Sequence, residues 1–212
     1  MPLTPAQFPQ WINAIAATIN AHADTVTELD QAIGDGDHVF NLQRGIEALQ
    51  GHSAEIAVLE WSAAWQKIGM TVMAAIGGAS GSLYATLFIS LSKNTQGKPA
   101  NLQTFTDALQ MAIEAVKQRG RADVGEKTLL DVWVPVALAL QQDAAANKNL
   151  TEILDHVRAV ADAGVEATRD MLATKGRASF LGERSKGHID AGAKTAQLMI
   201  EAIAAEIKST ID

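Results

Sequence analysis

Apolar residues recur along this chain at intervals of three and four, the spacing of one face of an α-helix. Phe8, Trp11, Ile12, Ile15 and Ile19 make a first stripe, with Thr4 placed as N-cap and Pro5 at the first helical position. A shorter helix is expected from about Asp24 to Ala32, and another from His38 to Leu49. Trp61, Trp65, Ile68, Val72 and Ile76 share a face of a helix over about Ile56 to Ile76, stopped by Gly77-Gly78. Ser80 to Leu91 follows, then a polar connector from Lys93 to Ala100. Phe105, Ala108, Leu109, Ala112, Ile113 and Val116 mark a fifth long helix, ending near Gly120.

Val132-Trp133-Val134 ahead of Pro135 would suit a short strand. However, Val132, Val136 and Leu140 lie four apart, so the spacing predicts a helix over Leu129 to Ala146. Pro135 then leaves the Asp131 carbonyl without its helical partner and kinks the segment. Ile153, Val157, Val160 and Gly164 predict a helix reaching about Thr174, and Ala196, Met199, Ile200, Ile203 and Ile207 the last one. The expectation is an all-α fold of about eight helices, one domain over residues 1–212, with no linker dividing it.

Composition agrees. The chain has 212 residues, 48% hydrophobic, enough to bury a sizeable core, and its abundant Ala favours closely packed helices. Cys is absent, which excludes disulfides and thiol chemistry. A formal net charge of −7 argues against general nucleic-acid binding. The start, Met1-Pro-Leu-Thr-Pro-Ala6, does not read as a signal peptide, and no uninterrupted apolar run suits a membrane span. A cytoplasmic location is expected.

The chemistry concentrates in polar loops between the helices. Asp30-Gln-Ala-Ile-Gly-Asp-Gly-Asp-His-Val-Phe-Asn41 holds three carboxylates, an imidazole and an amide. Asp35 and Asp37 can point to one side of a turning segment, and Asp30 can reach the same point if a helix ends near Ile33. Crowded carboxylates repel unless a cation lies between them, and oxygen ligands suit Mg²⁺ or Ca²⁺. Gly34 and Gly36 let the backbone bend around such an ion. Asp and Gly are equally the commonest turn residues, so the loop alone also reads as a solvated turn. An EF-hand does not fit, because Phe40 and Ile46 fall where Gly and Glu are needed. Zinc lacks ligands, with no Cys and one His nearby.

Three further loops follow. Gly77-Gly-Ala-Ser-Gly-Ser82 can offer backbone N–H groups and hydroxyls to an anion, but it is not a Walker loop. Arg119-Gly-Arg-Ala-Asp-Val-Gly-Glu-Lys-Thr128 and Lys175-Gly-Arg-Ala-Ser-Phe-Leu-Gly-Glu-Arg-Ser185 echo each other, and arginine is a natural partner for phosphate oxygens. If alternate helix ends meet at one end of a bundle, carboxylates, helix N-termini and arginines converge there.

Taken in order, Gly34-Asp-Gly-Asp-His38 with Asn41, Gly77-Gly-Ala-Ser-Gly81, Gly125-Glu-Lys-Thr128 with Asp131-Val-Trp-Val-Pro135, and Gly176-Arg-Ala-Ser-Phe-Leu-Gly-Glu-Arg184 resemble the nucleotide-binding L subunit of dihydroxyacetone kinase, the DhaL family. The resemblance implies a barrel of eight antiparallel amphipathic helices, with ADP or ATP held at one end through two Mg²⁺. It implies Asp30, Asp35 and Asp37 as metal ligands. It places His38, Asn41, Gly78, Ala79, Ser80, Gly120, Leu129, Arg177, Asp190, Ala191 and Gly192 at the nucleotide, with Arg177 at the transferring phosphoryl group. The implied partners are a K subunit that holds dihydroxyacetone and a phosphohistidine M subunit of the phosphotransferase system that recharges ADP. The chain departs from the family pattern at Val39, Ser82, Ala85 and Ala191, which bears on the fit of the nucleotide. Two other readings share these residues: the nucleotide module of a split kinase for another sugar or a fatty acid, and a metal–nucleotide sensor without turnover.

Overall fold

The stripes read from the sequence face one another across a closed ring. The computed structural model describes residues 4–211. Met1-Pro2-Leu3, read above for a signal peptide, lies outside them. The described residues form ten α-helices and no strand: α1 (Phe8–Ala21), α2 (Ala23–Ile33), α3 (His38–Gly51), α4 (Ser53–Ala57), α5 (Trp61–Ala75), α6 (Gly78–Thr95), α7 (Leu102–Gly120), α8 (Leu130–Ala145), α9 (Leu150–Ala167) and α10 (Ala191–Ser209). Short 3-10 segments cover Pro5–Gln7, Thr168–Asp170 and Arg177–Ser185.

Eight of these helices make the ring. α3, α5, α6, α7, α8, α9, α10 and α1 each pack on the next, and α1 returns to α3. Neighbours run antiparallel. Gln43 and Gln50 of α3 donate to Asn20 and Asn13 of α1 at 2.8 and 2.9 Å, so one helix descends as the other rises. Arg158 of α9 forks onto Glu201 of α10 with two 2.6 Å bonds, and Gln197 donates to Asp162 at 2.8 Å. α2 lies outside the ring on α3 and α10, and the short α4 beside α1. The barrel interior is apolar. Phe8 packs on Trp65 with ring centroids 4.5 Å apart, and Tyr84 meets Trp133 edge-on at 5.1 Å. A cavity of about 300 Å³ remains on the axis, lined by such residues as Trp65, Phe105, Trp133, Leu140, Met199 and Ile203.

The departures from expectation have local causes. The helix expected over Ile56 to Ile76 is two, broken where Glu60 turns extended. Ile56 and Trp61 are five residues apart, which would put them about 140° apart on one helix. The break lets both bury, at 0% and 7% exposure. α6 continues past Leu91 into the expected polar connector, because Thr95 buries completely and returns its hydroxyl to the Leu91 carbonyl. Thr4 begins a 3-10 turn instead of α1, with its N–H donated to Gln7 Oε1 at 3.0 Å. The helix expected to reach Thr174 stops at Ala167.

Pro135 sits inside α8, as the spacing predicts. The Asp131 carbonyl that proline leaves free lies against Gly164 of α9. A Cβ added there would come within 2.5 Å of that oxygen and 3.1 Å of Val132 Cα. Both atoms are backbone and cannot swing away. Gly164→Ala is therefore expected to destabilise the fold by about 1–3 kcal/mol through overpacking. Gly51→Ala, where an added methyl meets nothing, should be neutral or stabilising by up to about 1 kcal/mol. Urea unfolding of the two variants measures both; equal stabilities would refute this account of the α8–α9 contact.

Candidate functional site

The alternation of the ring decides where the polar loops go. With α3 starting at one end, α5 ends there, α6 starts, α7 ends, α8 starts, α9 ends and α10 starts. All four loops singled out in the sequence therefore gather at that end, together with the N-termini of α3, α6, α8 and α10. Unpaired N–H groups and the helix dipoles make such an end attractive to anions.

The acidic loop is a tight reversal between α2 and α3. Gly34 closes α2, its N–H bonding to the Asp30 carbonyl at 2.5 Å, and any side chain on it would collide with the Asp30 carboxylate. Gly36 takes a positive φ of 77°. The result brings one oxygen each of Asp30, Asp35 and Asp37 within 4.8 Å of one another. His38 N–H donates to Asp30 Oδ2 at 3.2 Å, and Arg177 Nη2 reaches Asp35 Oδ2 at 2.7 Å.

His38 is positioned from the opposite side of the end. Its Nε2 lies 2.9 Å from Thr195 Oγ1, and that hydroxyl in turn donates to the Gly192 carbonyl at 3.0 Å. The Thr195 hydroxyl thus links the His38 ring to the first turn of α10. Burial pushes the His38 pKa down, against the pull of Asp30 and Asp37, which favours the neutral ring. Asn41, one turn on, lies beside Gly77; a Cβ there would come 3.2 Å from Asn41 Oδ1. Gly78 holds φ at 69° as the chain enters α6, and Ala79 and Ser80 form the first turn. Gly120 ends α7 against Leu83. Leu129 is 6% exposed and backs onto Gly192.

Asp190 caps α10, its Oδ2 accepting from Ala193 N–H at 2.7 Å. Desolvation pushes its pKa up to about 6, opposed by that bond and by Lys127. Ala191 and Val39 fall in the first turns of α10 and α3 and are buried with Val26 of α2. Val39 is helical, so its β-branch meets no positive φ, and both apolar departures from the family pattern serve packing.

The echo between the two Gly-Arg-Ala loops does not extend to structure. Arg177 opens a 3-10 segment and pairs with Asp35, whereas Arg121 ends α7 with φ of 47° and makes no ion pair among the described residues. Four residues to which the sequence reading assigned no role at the site, two of them inside quoted motifs, also shape this end. Asp131, 3% exposed, accepts from Gly125 N–H at 2.5 Å and Thr128 N–H at 2.8 Å, which folds the loop ahead of α8. Thr168 Oγ1 accepts from Asp190 N–H at 3.1 Å. Thr195 holds His38, and Lys127 is buried with three carbonyls around its ammonium. The only signal for them was the Gly-Glu-Lys-Thr string and an Asp one turn beyond it.

No described helix is long and apolar enough to cross a membrane. The DAK2 domain family matches residues 32–205. The chain is 37% identical over 194 residues to the ADP-binding subunit DhaL of PEP-dependent dihydroxyacetone kinase 1 of Listeria innocua, covering 92% of each. It is 34% identical over 209 residues to the corresponding DhaL subunit of Escherichia coli, covering 98% of this chain and 100% of that one. Among solved structures, the dihydroxyacetone kinase of C. freundii in complex with AMP-PNP and Mg²⁺ superposes with a TM-score of 0.72 at 25% identity. That match covers 97% of this chain and 34% of the kinase chain, so this chain spans about a third of it. Family match, coverage and the all-helical ring agree: the chain belongs to the DAK2-domain family, among its DhaL members.

Proposed function

We propose that this chain is the nucleotide-carrying subunit of a multi-subunit dihydroxyacetone kinase. The observation that carries the reading is the convergence of Asp30, Asp35 and Asp37 at the barrel end where four helix N-termini open. Oxygen donors without Cys or clustered His suit Mg²⁺, and positive helix ends beside them suit the phosphates of a nucleotide. The residues present fit both groups. Asp30, Asp35 and Asp37 would hold two Mg²⁺. Gly78, Ala79 and Ser80 at the start of α6, with His38 and Asn41 on α3, would face the phosphates. Gly120, Leu129 and Asp190 to Gly192 would border the nucleoside. When bound, the metal supplies charge neutralisation along the phosphates.

Transfer in this reading is in-line. This chain's residues would hold a bound nucleotide so that its terminal phosphoryl group faces the acceptor hydroxyl of dihydroxyacetone on a separate K subunit. The same site would retain ADP for recharging by a phosphohistidine on an M subunit, in the cytoplasm. Arg177 orients and neutralises the transferring group. It is 70% exposed at its side chain and, among the described residues, tethered only at Asp35, so it is free to exchange one anionic partner for another.

Two outcomes test this. Mg–ADP at about 100-fold over its Kd should stabilise the protein by about 2.7 kcal/mol, and a chelator should reverse the gain and release nucleotide. For a chain of this size that is a melting shift of about 5–11 °C. Asp35→Asn should keep the fold but abolish transfer in a mixture with K and M subunits. An unshifted melting curve, or full transfer by the variant, would show the acidic loop to be a turn and nothing more. Full turnover with another carbonyl sugar and none with dihydroxyacetone would assign the chain to a different split kinase.

Arg177→Ala separates a surface arginine from a working one. As an exposed ion pair it contributes at most about 1 kcal/mol to stability. As a phosphate ligand its loss removes a charge-assisted bond of roughly 1.5–3 kcal/mol, about 10- to 150-fold in nucleotide affinity or single-turnover rate. Arg177→Lys should recover part of that, because the charge returns without the fork. Arg121→Ala is expected to behave as the native protein. Equal affinities and rates for both alanine variants would remove Arg177 from the site.

A further inference from the structure

Lys127 is 2% exposed, in a loop where Arg121 and Asp123 are exposed and Glu126 is half-buried. Its backbone is left-handed, with φ of 60°, a conformation ordinarily left to Gly or Asn. Its ammonium donates to the carbonyls of Thr168 at 2.5 Å, Arg169 at 3.4 Å, and His188. The first two carbonyls belong to the 3-10 turn just after α9, near the negative end of that helix's dipole, where they also accept from Met171 N–H at 3.2 Å and Gly187 N–H at 2.8 Å. The third lies in the loop that leads into α10. Ordinary loop closure explains neither a buried cation nor a strained lysine. A glycine would fit the backbone better and would cost no desolvation.

The contacts of that loop lead to the acidic end by short steps. Thr168 accepts the Asp190 N–H at 3.1 Å, and Asp190 caps α10 through Ala193. Gly192, in the next residues, lies against Leu129 and takes the Thr195 hydroxyl on its carbonyl. Thr195 holds His38, and His38 N–H holds Asp30. Lys127 also attracts Asp190, Asp170 and Asp131 electrostatically; among the described residues, neither Asp190 nor Asp131 forms an ion pair with an arginine.

We infer that Lys127 is a positioning residue of the nucleotide end: its ammonium ties the loop before α8 to the end of α9 and the start of α10, and so holds Leu129, Asp190–Gly192 and, through Thr195, His38 in one register. The inference rests on the reading of this end as a Mg–ADP site and names a residue of it that does not touch the nucleotide. The requirement is for a cation at the end of a lysine-length stem, not for bulk.

The chain contains no cysteine, so Lys127→Cys creates a unique thiol. Alkylated in denaturant with 2-bromoethylamine and refolded, it regains an ammonium on a thioether stem of lysine length. Alkylated with propyl iodide it regains bulk alone. Mg–ADP affinity is measured for the native protein, both adducts and Lys127→Met, at a temperature where each is folded by circular dichroism. The aminoethyl form should bind within about threefold of the native protein, and the propyl form and Lys127→Met at least tenfold more weakly. Native affinity in folded neutral forms would overturn the inference and leave the proposed function standing. Failure of the native protein to bind Mg–ADP would overturn both. Should the neutral forms not fold, the unmodified protein decides: the ¹H–¹⁵N signal of the Lys127 ammonium should be retained and should shift on addition of Mg–ADP. No shift would overturn the inference.

Discussion

A closed ring of antiparallel helices joined by short loops has little freedom in what it puts at each end. Each helix carries one apolar face, and that face is buried only if every helix has a neighbour on both sides. Eight helices meet the condition here, and strict alternation then sends every second connection to the same end. The N-termini of α3, α6, α8 and α10 point the same way because the core demands it. An anion site at that end is a consequence of packing before it is a matter of any single residue.

The same constraint creates an electrostatic problem. The chain is acidic overall, and its site end collects Asp30, Asp35 and Asp37, with Asp131 buried and Asp190 half-buried close by. Two of these are satisfied locally: Asp131 by two loop N–H groups, Asp190 by the first turn of α10. The other three face outward in one cluster, tied to His38 N–H and to Arg177. A protein that needed only a turn at this point could use a less charged one. Keeping three carboxylates within 4.8 Å is costly without a cation and favourable with one, and that asymmetry is what makes the cluster informative.

Much of this was legible in the sequence, and what was not fails for identifiable reasons. The stripes of Trp61 to Ile76 and of Ala196 to Ile207 name their helices because periodicity survives burial. The joint at Glu60 was missed because a window spanning Ile56 and Trp61 averages over a change of phase. The end of α9 was missed because the chain tightens into a 3-10 turn at Thr168–Asp170, whose carbonyls meet the distant Gly187 and Lys127, contacts that no local pattern announces. The acidic loop was legible because its three ligands are local, within eight residues of one another. Thr195 could not be read there, since its partner His38 is 157 residues away and nothing in a Lys-Thr-Ala string announces a hydroxyl that meets an imidazole.

Lys127 shows why polarity along a chain is a poor guide to burial. In sequence it sits among Gly, Glu and Thr, the company of a solvated loop, and in space it is among the most buried side chains of the fold. What reverses its environment is the group of backbone carbonyls just past α9 and ahead of α10, a feature of chain geometry and not of side-chain composition. A carbonyl cluster left open would take up water and loosen; filled by an ammonium on a fixed stem, it becomes a joint between three segments. The end of the barrel is held both by the apolar ring beneath it and by one cation drawn into the gap that the ring's own helix ends leave.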